Sequence, residues 1–584
     1  MRIRQLDISN FRGIRDLHWL IPKDRNFICL IGPGDSGKSS ILDAIYLVLG
    51  DRWNPSIADT DFYKADVTNQ IVIRCVVTDL SKNLLKESTF GLWLSGIDDN
   101  GKLYQDPEDG TDLALIVQLR VDENLEPIWT IEKLNNNGST PVSSYLRREF
   151  ATFRVDDRTD VHLRWTKTSA LSKISDSGNS TGNAMALASR AARESIASYS
   201  DDKLKHLTTQ IQCKLNEVGC GNFSSIQIGL DTSLSSVGGN LSLYESSVPL
   251  TNYGLGSKRL AGLAVQQLAS VGKSILLLDE VEHGLEPHRL VSLLQYIKSD
   301  QSYSQVFITT HSPTAVEQAS TDNLAVTRNN NGTVLVKFIP MDSTTLRVRR
   351  SRPSSFLGRK IVVAEGKTEE GFLLEIINKF DKSRLDLGLT TAAGIGSVVQ
   401  DGMGGAEVPL RAMALLDLGY DVAMFFDNDD QTINKNVDKA ICRGAISIRW
   451  DIGNNIESQL ANSLSIAGLT SLLELGAKIR KPQTVICDLK DAGAPEKVSS
   501  LEIQNWIDTT LVNESDARRI VADAMNKAEW FKLVDNGKLL GAWVFDHRGC
   551  FINNTVEAII CSLENFIYDD ANPSPSKDGS KTHG

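Results

Sequence analysis

The sequence predicts an α/β protein made of two separate α/β units, and three observations predict it. Near the N-terminus the apolar run "NFICLI" passes through "GPGDSGKSS" into the helical stretch "SSILDAIYLVL". Strand and helix alternate again around "SILLLDE" and "QVFITTHS". A further set of short apolar runs, "KIVVAE", "DVAMFFD" and "AISIRWD", is separated by helical stretches. Such alternation is the pattern of sheets covered by helices. The chain has 584 residues, more than one core organises, and domains of roughly 100 to 200 residues imply about three or four units.

Taken in order, residues 1–175 read as the first half of a nucleotide-binding domain with an added β-rich portion that includes "DLALIVQLRV" and "PIWTIEKL". Residues 176–222 are Ala-rich and helical in period, a short insertion suited to a dimer contact. Residues 223–342 resume the first domain, and 343–359, rich in Ser, Arg and Pro, read as a basic linker. The second α/β unit occupies 360–568, and the Pro/Ser/Gly-rich residues 569–584 read as a disordered tail.

Composition excludes several classes. Apolar runs stop well short of the ~18 residues of a membrane span, and the N-terminus lacks a signal-peptide core, so a cytoplasmic protein without a membrane partner is expected. The eight cysteines include no CxxC, which argues against a zinc site and a disulfide framework. A net charge of −11 argues against coating nucleic acid by bulk electrostatics. A local basic track remains: Arg347, Arg349, Arg350, Arg352, Arg359 and Lys360 fall within fourteen residues, either a solvated linker or a phosphate-binding strip.

The first candidate site is a phosphate-binding loop. Gly32, Gly37, Lys38 and Ser39 satisfy G-x-x-x-x-G-K-[ST] between a strand and a helix, where backbone N–H groups cradle phosphates, Lys38 reaches the β/γ oxygens and Ser39 holds Mg2+. Downstream, Asp279 is placed to hold that Mg2+ through water, Glu280 to orient and deprotonate the attacking water, and His311 to hydrogen-bond the γ-phosphate. Gly256 and Ser257 open a helix in "LTNYGLGSKRL", as in the signature motif with which a partner ATPase head meets the γ-phosphate. Together with "NFRGI", these motifs resemble the RecF/SMC-like branch of the ABC ATPases. The resemblance implies ATP with one Mg2+, and a homodimer or higher homo-oligomer through the heads and the insertion. Gly254 stands where the signature serine is usual, and Asp35 adds an acid beside the phosphates, so binding is better supported than fast turnover.

The second candidate site is acidic. Glu365 ends one strand and Glu369 lies in the first turn of the next helix; Asp427 and Asp429 follow a second strand; Asp451 and Glu457 follow a third. Open α/β sheets build sites at the carboxyl ends of their strands. Carboxylates crowded there repel one another unless a hard cation such as Mg2+ or Mn2+ relieves them. The plainer alternative is that Glu369 and Asp430 are solvated acids.

"EGKTEE", the later DxD and "NIESQL" resemble the Toprim domain of the OLD (overcoming lysogenization defect) nucleases, a family with an ABC-type ATPase head, a helical insertion and a C-terminal Toprim domain. The resemblance spans nearly the whole chain outside the tail. It implies two metals held by Glu365, Glu369, Asp427, Asp429 and Glu457, and a lysine that offsets transition-state charge, best matched by Lys532 and next by Lys538. The function it implies is an ATP-regulated DNA endonuclease or nickase, in a family often acting in defence against phage and mobile DNA, with DNA and a defence-system protein or nucleic acid as partners. The alternative is a non-cutting RecF-like clamp whose Toprim domain is a scaffold. No tyrosine domain for a topoisomerase and no primase partner module is visible.

Overall fold

In the computed structural model the described residues are 1–50, 55–134, 138–150, 152–155, 202–219, 223–231, 240–269 and 273–569. They form two compact units, Met1–Ile339 and Pro340–Gly584.

The first unit is organised by one large sheet, of fourteen strands among the described residues. Its principal strands are β1 (Arg2–Phe11), β2 (Ile14–Leu20), β3 (Phe27–Ile31), β4 (Ile71–Thr78), β5 (Asp112–Val121) and β6 (Thr152–Val155). β7 (Ser274–Leu278), β8 (Tyr303–Thr309), β9 (Leu324–Asn330) and β10 (Thr333–Phe338) complete them. They run in the order β6-β7-β8-β3-β9-β10-β2-β1-β4-β5. The stretch β6-β7-β8-β3-β9 is parallel throughout, whereas β1, β2, β4 and β5 pair antiparallel. β3, β7 and β8 are buried along their whole length, which is why "FICLI" and "SILLL" read as continuous apolar runs rather than alternating ones. Parallel pairing brings the carboxyl ends of β3, β7 and β8 to one edge. α1 (Lys38–Leu49) leaves that edge, α2 (Asp202–Gly219) buries Ile211, Leu215 and Val218, and α3 (Leu255–Ala269) carries the glycine-serine turn. Of the expected helical insertion, only 202–219 lies within the described residues, and the expected tail lies outside them from residue 570 on.

The second unit begins with a correction. The segment expected as a linker is helical: α4 (Ser343–Ser351) is capped by Asp342, which accepts the Thr345 N–H, and a short 3-10 turn follows at Pro353–Leu357. Thr345, Val348, Ser355 and Phe356 are buried. Arg352 donates to Val399 O at 2.6 Å and Ser355 to Gln400 Oε1 at 2.6 Å, so the segment is fastened to its own unit.

Four parallel strands follow: β11 (Lys360–Ala364), β12 (Ser397–Asp401), β13 (Asp421–Phe426) and β14 (Ile446–Arg449), in the order β12-β11-β13-β14. The chain leaves β11 for β12 on one side and returns across it to β13, so the crevice where connections diverge lies beyond the ends of β11 and β13. α5 (Lys367–Asp386) and α6 (Val408–Asp417) pack on the sheet, α7 (Ile456–Ser463) follows β14, and α8 (Val534–Asp546) packs on α5. α5 and α8 approach at glycines: a Cβ on Gly537 would stand 2.5 Å from Thr368 O, one on Gly541 2.7 Å from Phe372 O, and one on Gly371 would collide with Val534 O. No helix among the described residues is long and apolar enough to cross a membrane.

Candidate functional site

At the edge formed by β3, β7 and β8, the loop after β3 uses its glycines for backbone room. Gly32 has φ 144° with Thr327 O where a Cβ would sit, and Gly37 has φ 94°. Lys38 is buried and folds back on its own loop, donating to Gly32 O at 3.0 Å, Pro33 O at 2.7 Å and Ser36 Oγ at 3.2 Å. Burial pushes its ammonium down to about 8, against the pull of Asp279, Asp35, Glu280 and Glu282. Ser39 Oγ donates to Asp279 Oδ1 at 2.9 Å, which joins the hydroxyl and carboxylate expected to share Mg2+. Asp35 is exposed with φ 58°.

Asp279 is held from three sides. Thr309 Oγ1 donates to its Oδ1 at 2.6 Å, Arg154 Nη2 lies 3.4 Å from its Oδ2, and Arg259 of α3 donates to its carbonyl. Glu280 sits at φ 45°, its N–H bonded to Thr309 Oγ1 at 2.7 Å and its carbonyl to Arg259 Nη1 at 2.6 Å. The His311 N–H donates to Glu282 Oε1 at 2.6 Å, and Thr310 Oγ1 donates to Glu282 Oε2 at 2.6 Å. Partial desolvation and the Lys38 ammonium hold the His311 imidazole below the usual histidine range. Gly256 lies against Gly284 O with no room for a Cβ, so the start of α3, with Ser257, is interlocked with the segment after Glu280.

Sequence reasoning missed Arg154, Arg259, Glu282 and Asp43. Arg154 also pairs with Asp43 of α1, which pairs with Arg12. Glu282, two residues past Glu280, was the one of these open to detection.

In the second unit, Glu365 follows β11 and its Oε2 accepts the Asp427 N–H at 2.8 Å. Asp427 Oδ1 accepts the Ile456 N–H at 3.1 Å, placing the first turn of α7, with Glu457, against the end of β13. Glu369 and Glu457 are buried at 5% and 4% exposure, while Asp429 and Lys532 are exposed. Phe372, Phe425 and Trp450 lie below, with ring centroids 5.6 to 6.2 Å apart, a dry floor for charged groups.

Desolvation therefore raises every inner acid. Asp427 is pushed up to about 10 by burial and then by Glu369, Glu365, Glu457 and Asp429. Glu369 rises to about 7 through burial, Glu457 and Glu365. Glu365 and Glu457 are raised chiefly by burial and by Asp429, with the Lys532 ammonium acting in the opposite sense on both. The five acids thus share one field, with Lys532 at its rim. Lys538 instead pairs with Asp535 at 3.2 Å. Asp451 accepts from Gln459, and Glu370 is half-buried between Lys367 and Arg352.

This donor set suits a hard cation: all-oxygen ligands, buried negative charge and a single ammonium to offset it. Among the described residues no group of three or more His, Cys, Asp or Glu side chains forms a ready-made ligand shell. Glu365, Glu369 and Asp427 accept the backbone N–H groups of Asp427, Gly366 and Ile456.

Comparison with known proteins defines the class of the first unit. Residues 1–90 match the family described as "AAA ATPase domain", and residues 94–317 match "AAA domain, putative AbiEii toxin, Type IV TA system". The chain therefore carries an AAA/ABC-type ATPase domain, a class that binds nucleotide, usually with Mg2+. Over 78 residues it is 33% identical to Structural maintenance of chromosomes protein 1 of Saccharomyces cerevisiae, a match covering 13% of this chain and 6% of that protein. Solved structures similar to it include an Smc head bound to the C-winged helix domain of ScpA (TM-score 0.36, 16% identity, 58% of this chain and 98% of that one). Others are an Smc head domain with an extended coiled coil, bound to the C-terminal domain of ScpA derived from Pyrococcus furiosus (0.36, 14%, 60% and 98%), and the SMC head domain from Thermotoga maritima (0.31, 16%, 58% and 100%).

Proposed function

We propose that the chain is an ATP-regulated, divalent-metal-dependent DNA endonuclease or nickase that acts in defence against phage or other mobile DNA. The observation that carries the reading is the single acidic field of Glu365, Glu369, Asp427, Asp429 and Glu457 at the carboxyl edge of a parallel sheet, with Lys532 beside it. The resemblance of these residues to the Toprim domain of OLD nucleases supports it, as does the match of residues 94–317 to a family named for an AbiEii toxin.

In this reading the five acids hold two Mg2+ or Mn2+ ions, which when bound supply Lewis acidity to the attacking water and the leaving oxygen of a phosphodiester. Glu369 and Glu457 form the buried base of the site and Asp429 its rim. Lys532, exposed at the mouth, faces the charge that gathers on the phosphoryl oxygens as the P–O bond breaks. The ATPase domain uses Lys38, Ser39 and Asp279 for nucleotide and Mg2+, Glu280 and His311 for hydrolysis, and Gly256 and Ser257 toward the nucleotide of a second copy. ATP state sets a conformation, and DNA cleavage is the output.

The test uses purified full-length protein with supercoiled plasmid and Mg2+ or Mn2+, with and without ATP. Open-circular or linear product from the wild type, lost in Asp427→Ala and Glu365→Ala, is expected. An intact plasmid under every metal and nucleotide overturns the reading. The carboxylates' engagement with backbone N–H groups favours a second reading, a RecF-like clamp that binds DNA without cutting; it predicts retention of plasmid without nicking.

A further inference from the structure

The basic helix α4 belongs to neither site in sequence, yet its arginines are tied to the loops that build the acidic one. α4 buries Thr345 and Val348 and leaves Arg347 and Arg350 exposed, one turn apart. Arg347 Nη1 lies 3.1 Å from Glu407 Oε1. Glu407 follows the Gly402–Gly405 turn, and Gly405 packs against the Glu365 carboxylate, whose Oε1 stands 3.0 Å from where a Gly405 Cβ would sit. Beyond the helix, Arg352 Nη1 lies 3.7 Å from Glu370 Oε1, and Lys367 bridges Glu370 at 2.9 Å and Asp401 at 2.6 Å. Arg411 is fully buried, donates to Asp401 O at 2.8 Å, and leaves its Nε and Nη2 without hydrogen-bond partners. The carboxylates of Glu407 and Asp401 act on its charge.

We propose that α4 is a docking element for the DNA backbone: phosphates lie along Arg347 and Arg350, displace Glu407 from Arg347, and continue past Lys367 toward Glu365. The proposal rests on the nuclease reading of the acidic site. It assigns Glu407 the part of an internal competitor that occupies Arg347 until a phosphate replaces it. Phosphate contacts of this kind carry no sequence information; they fix register and give affinity that falls steeply with salt.

Binding of a short labelled DNA duplex to the full-length protein is followed by anisotropy across a salt series, with Ca2+ in place of Mg2+, and plasmid nicking is assayed in parallel. Reversing both charges, Arg347→Glu with Arg350→Glu, weakens binding roughly tenfold and lowers the slope of log K against log salt by about 2, one phosphate contact for each arginine. Arg347→Lys with Arg350→Lys keeps the slope. Glu407→Gln has the opposite sign and tightens binding, a result that misfolding does not produce. An unchanged affinity and slope in the reversal variant, weaker binding in Glu407→Gln, or a wild type that does not bind DNA overturns the docking surface. A wild type that binds through α4 but never nicks overturns the nuclease reading and leaves the docking surface standing.

Discussion

At the scale of single residues, burial decides protonation, and protonation decides what can bind. Lys38 has an ammonium pushed down to about 8, and its hydrogen-bond acceptors are two loop carbonyls and the Ser36 hydroxyl rather than a carboxylate. ATP phosphates restore the charged form, so the bound state holds the proton to a higher pH than the free one. ATP affinity is then flat below about 8 and falls as pH rises through that value, with proton uptake on binding; calorimetry in buffers of different ionisation enthalpy measures it. A pH-independent affinity between neutral and alkaline pH refutes the assignment.

Asp427 has the opposite character. Its folded-state pKa, about 10, lies above the ordinary Asp range, so folding favours the protonated form and the cation-free protein loses stability as pH rises from that range toward about 10. Asp427→Asn keeps an acceptor for the Ile456 N–H and removes the cost of taking up a proton on folding at neutral pH. The variant therefore melts higher than wild type in chelator at neutral pH, by an amount worth about 1 to 2 kcal/mol, while nicking is lost. Because cations compete with these protons, Mg2+ or Mn2+ raises the wild-type melting temperature more at alkaline than at acidic pH. Equal shifts at both pH values would count against the acids as the binding site.

At the scale of elements, helix packing sets where the chemistry sits. The glycines Gly371, Gly537 and Gly541 let α5 and α8 approach backbone to backbone, and Thr368 Oγ1 donates to Phe531 O at 3.0 Å beside Lys532. Gly537→Ala forces the helices apart. The expected cost is about 1 to 3 kcal/mol from overpacking, with a fall in nicking beyond what lost stability explains, because Lys532 moves relative to Glu369. Denaturant melts paired with cleavage rates read both. Glu282 is the matching device in the ATPase domain, where one carboxylate latches the turn after β7 to the turn after β8. Glu282→Gln loses one of two acceptors; ATP turnover falls roughly tenfold while the KM for ATP holds, as a lost positioning contact requires.

At the scale of the whole molecule, legibility followed sequence locality. The phosphate loop, Asp279, Glu280 and His311 could be read because each lies in a short contiguous pattern at a strand end. The Arg154–Asp43 and Arg154–Asp279 pairs could not, since their partners come from separate strands and helices and leave no spacing to count. Glu365, Asp427 and Glu457 were legible as strand-end and helix-start acids, but their engagement with backbone N–H groups is a property of the folded loops. The α4 segment was misread because its arginines dominate the composition, and Thr345 and Val348, three apart, are too few to announce a buried face. On the proposed function, the coupling of nucleotide state to DNA cleavage belongs to this scale. Lys38→Ala is expected to abolish ATP binding and to change nicking in the presence of ATP; nicking unchanged with and without ATP would separate the two activities.

The acids and their lysine come from distant parts of the chain. Glu365, Asp427, Asp429 and Glu457 are all synthesised before residue 460, whereas Lys532 and the α8 glycines that seat it follow later. A ribosome making this protein therefore exposes the carboxylates first and supplies Lys532 later. On the proposed function, cleavage would have to wait until Lys532 joins the acids.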